Sequence, residues 1–389
     1  MMSTVQHTRS KHAQGRCTPV QNKQPPMPQI IPFRYWYGFG RAYQDGRTGN
    51  EGEVCNVLTE LEFNSNPPPN WYSNEPLKDW QGITLNNDNN ILGLVVVNMQ
   101  LLSLPYSIAS LTSLIELSIV ENQLAELPEL HTLTSLKYLF LTNNQLASVP
   151  ELHTLTSLIE LSLAQNQLTE LPELHTLTSL KYLLLQYNQL TRFPATICRC
   201  SQLIELQLND NQLTELPELC TLTSLRVLNL TRNQLTFVPE LDALTSLVTL
   251  SIAENQLTSV PASIGSLMSL EYLFLYNNQL TSLPATIGQC SQLIELELHE
   301  NQLTALPESI GQCSHLVALD LHVNRLTSLP ATIGQCSQLV ELNLDCNQLT
   351  ALPESIGQCS QLTELNLDYN PITRAELQRI EQRLPLAFI

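Results

Sequence analysis

The stretch Leu293-Ile-Glu-Leu-Glu-Leu-His-Glu-Asn-Gln-Leu303 repeats along the chain with one pattern, L-x-x-L-x-L-x-x-N-x-L. The first copy, residues 91–101, keeps the apolar positions but has Met99 in place of the asparagine. Thirteen copies occupy residues 91–373 of the 389-residue chain, which predicts a solenoid that grows by stacking similar units. In the other twelve copies the asparagine returns every 22 or 23 residues, at Asn122, Asn144, Asn166, Asn188, Asn211, Asn233, Asn255, Asn278, Asn301, Asn324, Asn347 and Asn370.

Within one copy, apolar and polar residues alternate as in a short β-strand with one buried face. In residues 115–120, Leu117 and Ile119 are expected to point inward and the residues between them outward. Because one such strand cannot bury its own apolar face, we expect the copies to stack as parallel strands ~4.8 Å apart. The asparagine follows the strand, where its amide can satisfy backbone groups, so its repetition predicts an internal hydrogen-bond ladder.

The segment between copies predicts the opposite layer of the solenoid. A proline lies six residues after the asparagine position in every copy but the last, and proline fixes φ for a return segment. Apolar residues then follow at a spacing of three, as in Ile310, Cys313 and Leu316. This spacing favours a 3₁₀ or short helical turn.

These residues resemble the intracellular type of leucine-rich-repeat protein, in which repeats of 22–23 residues follow a Ras-suppressor-like consensus and continue L-P-x-x-I-x-x-L-x-x-L. The resemblance implies an α/β fold: a right-handed solenoid with a parallel concave β-sheet, a convex side of 3₁₀ or short helical turns, and capped ends. It also implies a cytoplasmic, non-catalytic scaffold or adaptor in signalling, with a small GTPase, a phosphatase or a kinase as its protein partner.

The chain is predicted to have four segments. Residues 1–50 form a disordered basic arm with a net charge of 7 − 1 = +6, which leaves −18 − 6 = −24 on the remainder. Residues 51–90 form an N-terminal cap, residues 91–373 the thirteen repeats, and residues 374–389 a C-terminal capping helix. Thr373 and Glu376 have the spacing of a capping box. Three interpretations of the arm are open: a solvated tail, a segment that docks on the acidic concave face, or an arm that binds nucleic acid.

Several function classes are disfavoured by composition. The net charge of −18 is unfavourable for binding nucleic acid, and the longest apolar run, residues 91–97, is far too short to span a bilayer. No phosphate-binding loop, kinase motif set, nucleophile elbow or zinc-protease motif is present, so we expect no enzymatic activity and no cofactor. The ten cysteines form no cap-flanking cluster and no secretory signal precedes them, which indicates reduced thiols in the cytoplasm. We expect a monomer.

The outward strand positions are the predicted partner-binding surface. They carry aromatic residues, which have no reason to point away from a core and are typical interface anchors, although aromatic neighbours also stabilise a sheet. Acidic residues and histidines surround them. The predicted partner-binding residues are Tyr138, Phe140, Tyr182, Tyr272, Phe274, Tyr276, Glu295, Glu297, His299, Asp320 and His322.

One part of this surface has a second interpretation. Adjacent strands are expected to bring His299 and His322 about 5 Å apart, with Asp320 and Asp345 in reach. Two imidazoles and a carboxylate can hold Zn²⁺, which would make the chain a ligand- or metal-sensing receptor. The alternative is a solvated acidic patch in which the carboxylates favour protonated histidine.

Overall fold

The computed structural model describes residues 60–63, 77–219, 221–384 and 386–388. The predicted arm, residues 1–50, lies outside the described residues, as does most of the predicted N-terminal cap before residue 77. The account below concerns the described part of the chain.

Sixteen strands build two sheets. A 14-stranded sheet contains β2, β3 and β5–β16, and a two-stranded antiparallel sheet pairs β1 with β4. The strands are β1 Glu62–Phe63, β2 Ile83–Leu85, β3 Ile91–Val97, β4 Leu101–Ser103, β5 Glu116–Val120, β6 Tyr138–Phe140, β7 Glu160–Ser162, β8 Tyr182–Leu184, β9 Glu205–Gln207, β10 Val227–Asn229, β11 Thr249–Ser251, β12 Tyr272–Phe274, β13 Glu295–Glu297, β14 Ala318–Asp320, β15 Glu341–Asn343 and β16 Glu364–Asn366.

The thirteen strands of the repeats pair in parallel and in the order of the chain. Their register places equivalent residues side by side, so Leu117 lies opposite Leu139 and Leu296 opposite Leu319. The inward leucines of all repeats are buried and form one continuous core. The predicted solenoid with a parallel sheet is therefore confirmed.

Each ladder asparagine joins its own repeat to the repeat before it. The Oδ1 atom of Asn211 accepts a hydrogen bond of 3.0 Å from the backbone N–H of Leu190, and its Nδ2 group donates to the carbonyl oxygens of Leu185 at 3.0 Å and Leu208 at 3.1 Å. The other ladder asparagines bond in the same way. Eleven of the twelve asparagine side chains are buried. They therefore give hydrogen bonds to backbone groups that water cannot reach.

The residue before each ladder asparagine has a left-handed backbone, with φ between 51° and 59°. This conformation turns the chain out of the strand and aims the asparagine amide inward. The side chains at this position range from Glu121 to Tyr187 and Val323, although left-handed φ is costly for a β-branched residue. The turn is therefore imposed by the stacked repeats and not by a local preference of its residues.

Repeat length decides the structure of the return segment. A five-residue 3₁₀ turn follows proline wherever successive asparagine positions are 23 residues apart, and none occurs in the described repeats where they are 22 apart. One residue is enough to complete the turn after proline, which supplies the fixed φ at its start. The 3₁₀ turns of the repeats are Tyr106–Ser110, Ala195–Arg199, Ala262–Ser266, Ala285–Gln289, Glu308–Gln312, Ala331–Gln335 and Glu354–Gln358; an eighth, Leu77–Asp79, precedes them.

Neighbouring 3₁₀ turns approach closely through glycine and cysteine. A Cβ atom on Gly311 would overlap the carbonyl oxygen of Thr332 in the next turn and lie 2.8 Å from its Cβ. The thiol of Cys336 is buried and donates to the carbonyl of Ile310 at 3.5 Å. The cysteine column therefore packs in the core as small apolar residues with a weak donor.

Segments outside the repeat strands pair with both ends of the row of repeat strands. At the first edge, β2 pairs antiparallel with β3. At the last edge the backbone of Phe388 bonds to Leu365 and Thr363, with N···O distances of 3.0 and 2.7 Å. In the chain, the helix α1, Arg374–Arg383, lies between β16 and Phe388. It begins after Thr373, whose hydroxyl accepts a hydrogen bond from the Glu376 N–H. No helix in the described ranges is long and apolar enough to cross a membrane.

We expect Asn211→Ala to lower the free energy of unfolding by about 1–3 kcal/mol, because buried backbone groups of two repeats lose their partners. Asn233→Ala should cost a similar amount. Gln212→Ala is the matched control, since Gln212 is exposed. Chemical denaturation of the three variants measures the effect, and a wild-type midpoint for both asparagine variants would contradict the ladder's role.

The glycine column offers a second test with an internal control. Gly311→Ala should destabilise by about 1–3 kcal/mol, because the new methyl group must displace the neighbouring backbone. Gly357→Ala should be tolerated, since its Cβ would lie 3.5 Å from Arg383, an ordinary contact distance. Thermal unfolding of both variants decides the point, and equal losses would show that close approach is not the reason for glycine.

Candidate functional site

The outward positions of the repeat strands form three columns along the solvent-facing side of the long sheet, which we call the sheet face. The first column runs from Glu116 to Glu364 and the second from Ser118 to Asn366, each with one residue per strand. The third column begins at Val120 and continues through the equivalent residue of each later repeat. Tyr138, Tyr182, Tyr272 and Glu295 lie in the first column; Phe140, Phe274, Glu297 and Asp320 in the second; and Tyr276, His299, His322 and Asp345 in the third.

Tyrosine and glutamate alternate at the start of the first column. The register pairs Tyr138 with Glu116 on one side and Glu160 on the other, and Tyr182 then lies between Glu160 and Glu205. All five side chains are partly exposed. Each carboxyl group therefore lies next to an aromatic ring that is accessible from the same side.

The aromatic residues of the second column contribute unequally. Phe140 is partly exposed, and its ring stacks on Tyr138 with centroids 6.3 Å apart. Phe274 is only 5 % exposed, although it occupies the same column and faces the same way. Its neighbours on the sheet cover it, so it supports the face more than it offers a contact surface.

Three aromatic rings stack across neighbouring repeats in the third column. The rings of Tyr276 and His299 have centroids 4.5 Å apart and planes 5° apart, and those of His299 and His322 are 4.5 Å and 10° apart. Backbone hydrogen bonds continue beyond the strand ends here and hold the repeats at one register. The predicted separation of about 5 Å for the two histidines agrees with this stack.

Asp320 connects the two histidines. Its Oδ1 atom lies 2.7 Å from Nδ1 of His322 and also accepts from the His322 backbone N–H at 3.0 Å. Its Oδ2 atom is 3.9 Å from Nδ1 of His299. Asp345 is directed elsewhere, because its carboxylate accepts the backbone N–H of Asp368 at 2.8 Å. The structure thus brings together three of the four candidate metal ligands.

The surroundings separate the pKa values of the two histidines. Burial lowers the pKa of His299 to about 4, with a further decrease from His322, and Asp320 opposes this only in part. Burial alone would also lower the pKa of His322, but its hydrogen bond to Asp320 and the charges of Asp320 and Glu300 outweigh it, so that this pKa is raised. His299 is therefore neutral at pH 7.

Two glutamates of the face have raised pKa values, and Glu297 is largely neutral at pH 7. Burial, followed by the charges and hydrogen bond of Glu295 and by Asp320, raises the pKa of Glu297 to about 8. Burial, then Glu205 and Glu116, raises the pKa of Glu160 to about 7. Carboxyl groups crowded onto one side of a sheet avoid ionising together.

An ion cluster beside the third column was not predicted. Arg232 contacts both carboxylate oxygens of Glu254 through its Nε atom, at 2.9 and 3.0 Å, and its Nη1 atom lies 3.5 Å from Asp210. These residues occupy the left-handed position of three successive repeats. Opposite charges at one repeat position were the signal in the sequence that could have revealed the cluster.

Family models match most of the repeats. The family model that describes two copies of the leucine-rich repeat matches residues 112–152, 156–195 and 201–243. A second leucine-rich-repeat model matches residues 245–303, 270–326 and 314–372. The chain belongs to the leucine-rich-repeat family. The fold of this family is in general a protein-interaction scaffold. The finer assignment to a Ras-suppressor-like consensus stays a prediction.

Solved structures agree with this membership. A leucine-rich-repeat protein of Leptospira interrogans is 39 % identical in sequence, and the match has a TM-score of 0.63. It covers 76 % of this chain and 83 % of the Leptospira chain. YopM from Yersinia enterocolitica is 32 % identical over 71 % of this chain, with a TM-score of 0.56, and this chain spans 55 % of its length. The functional domain of InlJ from Listeria monocytogenes shares the fold at 24 % identity, with 72 % of this chain and 64 % of its own covered and a TM-score of 0.60. No curated protein matches the sequence.

Replacing Glu297 by glutamine should raise the thermal midpoint at pH 8, where the buried wild-type carboxyl is partly ionised. Between pH 4.5 and about 8 the folded chain holds a proton that the unfolded chain has released, so this group's contribution to stability falls as pH rises. The expected gain at pH 8 is on the order of 1 kcal/mol after allowance for solvent screening, and it should vanish near pH 4.5.

The matched control for this substitution is Glu364→Gln, because Glu364 is exposed on the same face. Calorimetric scans at pH 5 and pH 8 compare the two variants with the wild type. A Glu297→Gln variant that gains nothing at pH 8, or gains equally at both pH values, would contradict the neutral assignment.

Proposed function

We propose that this protein is a non-catalytic scaffold or adaptor that binds a protein partner on its sheet face. The observation that carries the proposal is the alternation of accessible tyrosine and glutamate along the first column. Tyrosine anchors interfaces with large area and little loss of conformational entropy, and it can still form a hydrogen bond. The row of strands presents such anchors on the same face at Tyr138, Tyr182 and Tyr272.

The charge of the face favours a basic partner surface. Glu116, Glu160 and Glu205 flank Tyr138 and Tyr182, and a second acidic group surrounds His299 and His322. Residues 51–389 carry a net charge of −24, which would attract a basic partner over a distance of about 8–10 Å at physiological salt. Association should therefore slow as ionic strength rises.

We also propose that the protein is a monomer. A long sheet usually associates through its unpaired edges. Here the edge strand β2 has only three residues, and the backbone near Phe388 bonds to the last repeat strand, so both edges offer little backbone for pairing with a second chain. The sheet face is thereby left as the surface through which the chain meets other proteins.

We further propose that the protein works in the cytoplasm, in signalling assemblies. The buried thiols of Cys290, Cys313, Cys336 and Cys359 have pKa values raised by burial to about 11 or 12, so they are poor nucleophiles and suit a reducing compartment without a protective disulfide. A small GTPase, a phosphatase or a kinase is the partner class that the family resemblance favours.

The triple variant Tyr138→Ala, Tyr182→Ala, Tyr272→Ala should weaken partner binding by at least tenfold, because each interface tyrosine contributes on the order of 1–2 kcal/mol. These side chains lie outside the core, so the thermal midpoint should remain near that of the wild type. The control is Tyr106→Ala with Phe237→Ala, which removes two exposed aromatics, 83 % and 52 % accessible, away from the sheet face.

Quantitative affinity purification from native extract compares the wild type with both variants. Proteins lost with the triple variant and retained with the control are the expected partners. Equal recovery of every protein by all three chains would overturn the proposed binding face.

A further inference from the structure

His299, Asp320 and His322 form a compact donor set in the third and second columns. Each offers one ligand atom, and these atoms all lie within 4.8 Å of one another. No other group of three histidine, cysteine or carboxylate side chains in the described ranges meets this condition. The side chains are 16 %, 29 % and 25 % exposed, so all three remain partly accessible to solvent.

The fold holds these side chains in place before any ligand arrives. Parallel pairing of β13 with β14 sets the two histidines one strand apart, and the ring of Tyr276 supports His299 from the far side. Asp320 is fixed by the backbone N–H of His322, and the Nδ2 group of Asn343 donates to its Oδ2 atom at 3.3 Å. Such support fixes the orientation of ligating groups in metal sites.

One donor atom is buried without a partner. Nδ1 of His299 is inaccessible to solvent and makes no hydrogen bond with any described residue, and Oδ2 of Asp320 lies 3.9 Å from it. A buried polar nitrogen without a partner costs free energy, and a bound cation would remove that cost. A neutral imidazole and an ionised carboxylate are the forms that a divalent metal ion binds.

We propose that His299, Asp320 and His322 bind a divalent transition-metal ion of the Zn²⁺ type on the sheet face. Nitrogen and carboxylate oxygen are ligands that Zn²⁺ accepts, and three protein ligands leave a fourth position for water. With bond lengths of about 2.0–2.1 Å, tetrahedral donors lie roughly 3.4 Å apart. The donor atoms now lie within 4.8 Å of one another, so they need to close by up to about 1.4 Å. The proton shared by His322 and Asp320 leaves as the ion binds.

The donor set also predicts selectivity. Mg²⁺ and Ca²⁺ prefer six or more oxygen ligands, whereas this cluster offers two imidazoles and one carboxylate. The neighbouring charges of Glu300 and Asp345 raise the local concentration of cations without discriminating between them. This inference goes beyond the scaffold function and does not depend on it.

Co²⁺ titration of the full chain, followed by its d–d absorption, is the decisive experiment. We expect one equivalent to bind with tetrahedral bands and without intense thiolate-to-cobalt charge transfer, which would instead indicate the cysteines. Zn²⁺ should displace Co²⁺, and excess Mg²⁺ or Ca²⁺ should not.

The variants His299→Ala, His322→Ala and Asp320→Asn should each weaken Co²⁺ binding at least about tenfold. His153→Ala is the control, because His153 is exposed and lies away from the cluster. Circular dichroism verifies that each variant is folded. No binding by the wild type, thiolate charge-transfer bands, or equal affinity in all variants would overturn the proposal.

Discussion

Each ladder asparagine forms hydrogen bonds that join the end of one strand to the repeat before it, and the stacking of the repeats depends on these bonds. One side chain satisfies a backbone N–H of the previous repeat and carbonyl groups of both repeats, as Asn211 does for Leu190, Leu185 and Leu208. Without it, the turn out of every strand would bury unpaired polar groups. The left-handed residue before the asparagine is the conformational cost of aiming the amide inward.

The same hydrogen bonds between repeats determine the chemistry of the sheet face. Because the repeats stay in one register, side chains at equivalent positions become neighbours although they are 22 or 23 residues apart in the chain. This is how His299 stacks on His322, and how Glu297 acquires a pKa raised by burial and by neighbouring carboxyl groups. The proposed binding surface thus arises from repetition, without any dedicated loop.

The repeat pattern predicted the strands, the direction of their side chains and the separation of His299 and His322, since all three follow from period and spacing. It did not predict that Phe274 is covered or that Asp345 turns towards Asp368, because these depend on how side chains pack on adjacent strands. Nor did it predict which return segments form 3₁₀ turns, although the information was present as one extra residue per repeat. Local periodicity thus determined the scaffold, and side-chain packing determined the site.

The alternation of tyrosine and glutamate has a consequence for how such a surface can change in evolution. Ser-Leu-Lys-Tyr-Leu occurs at residues 135–139 and again at 179–183, with Ser-Leu-Ile-Glu-Leu between them at 157–161, so these repeats alternate with a period of two. Duplication of one pair adds two strands, about 10 Å of sheet, with one tyrosine and one glutamate in matching register. Recombination that adds or removes such a pair would therefore change the number of contacts with a partner in fixed steps, without altering the register of the remaining repeats.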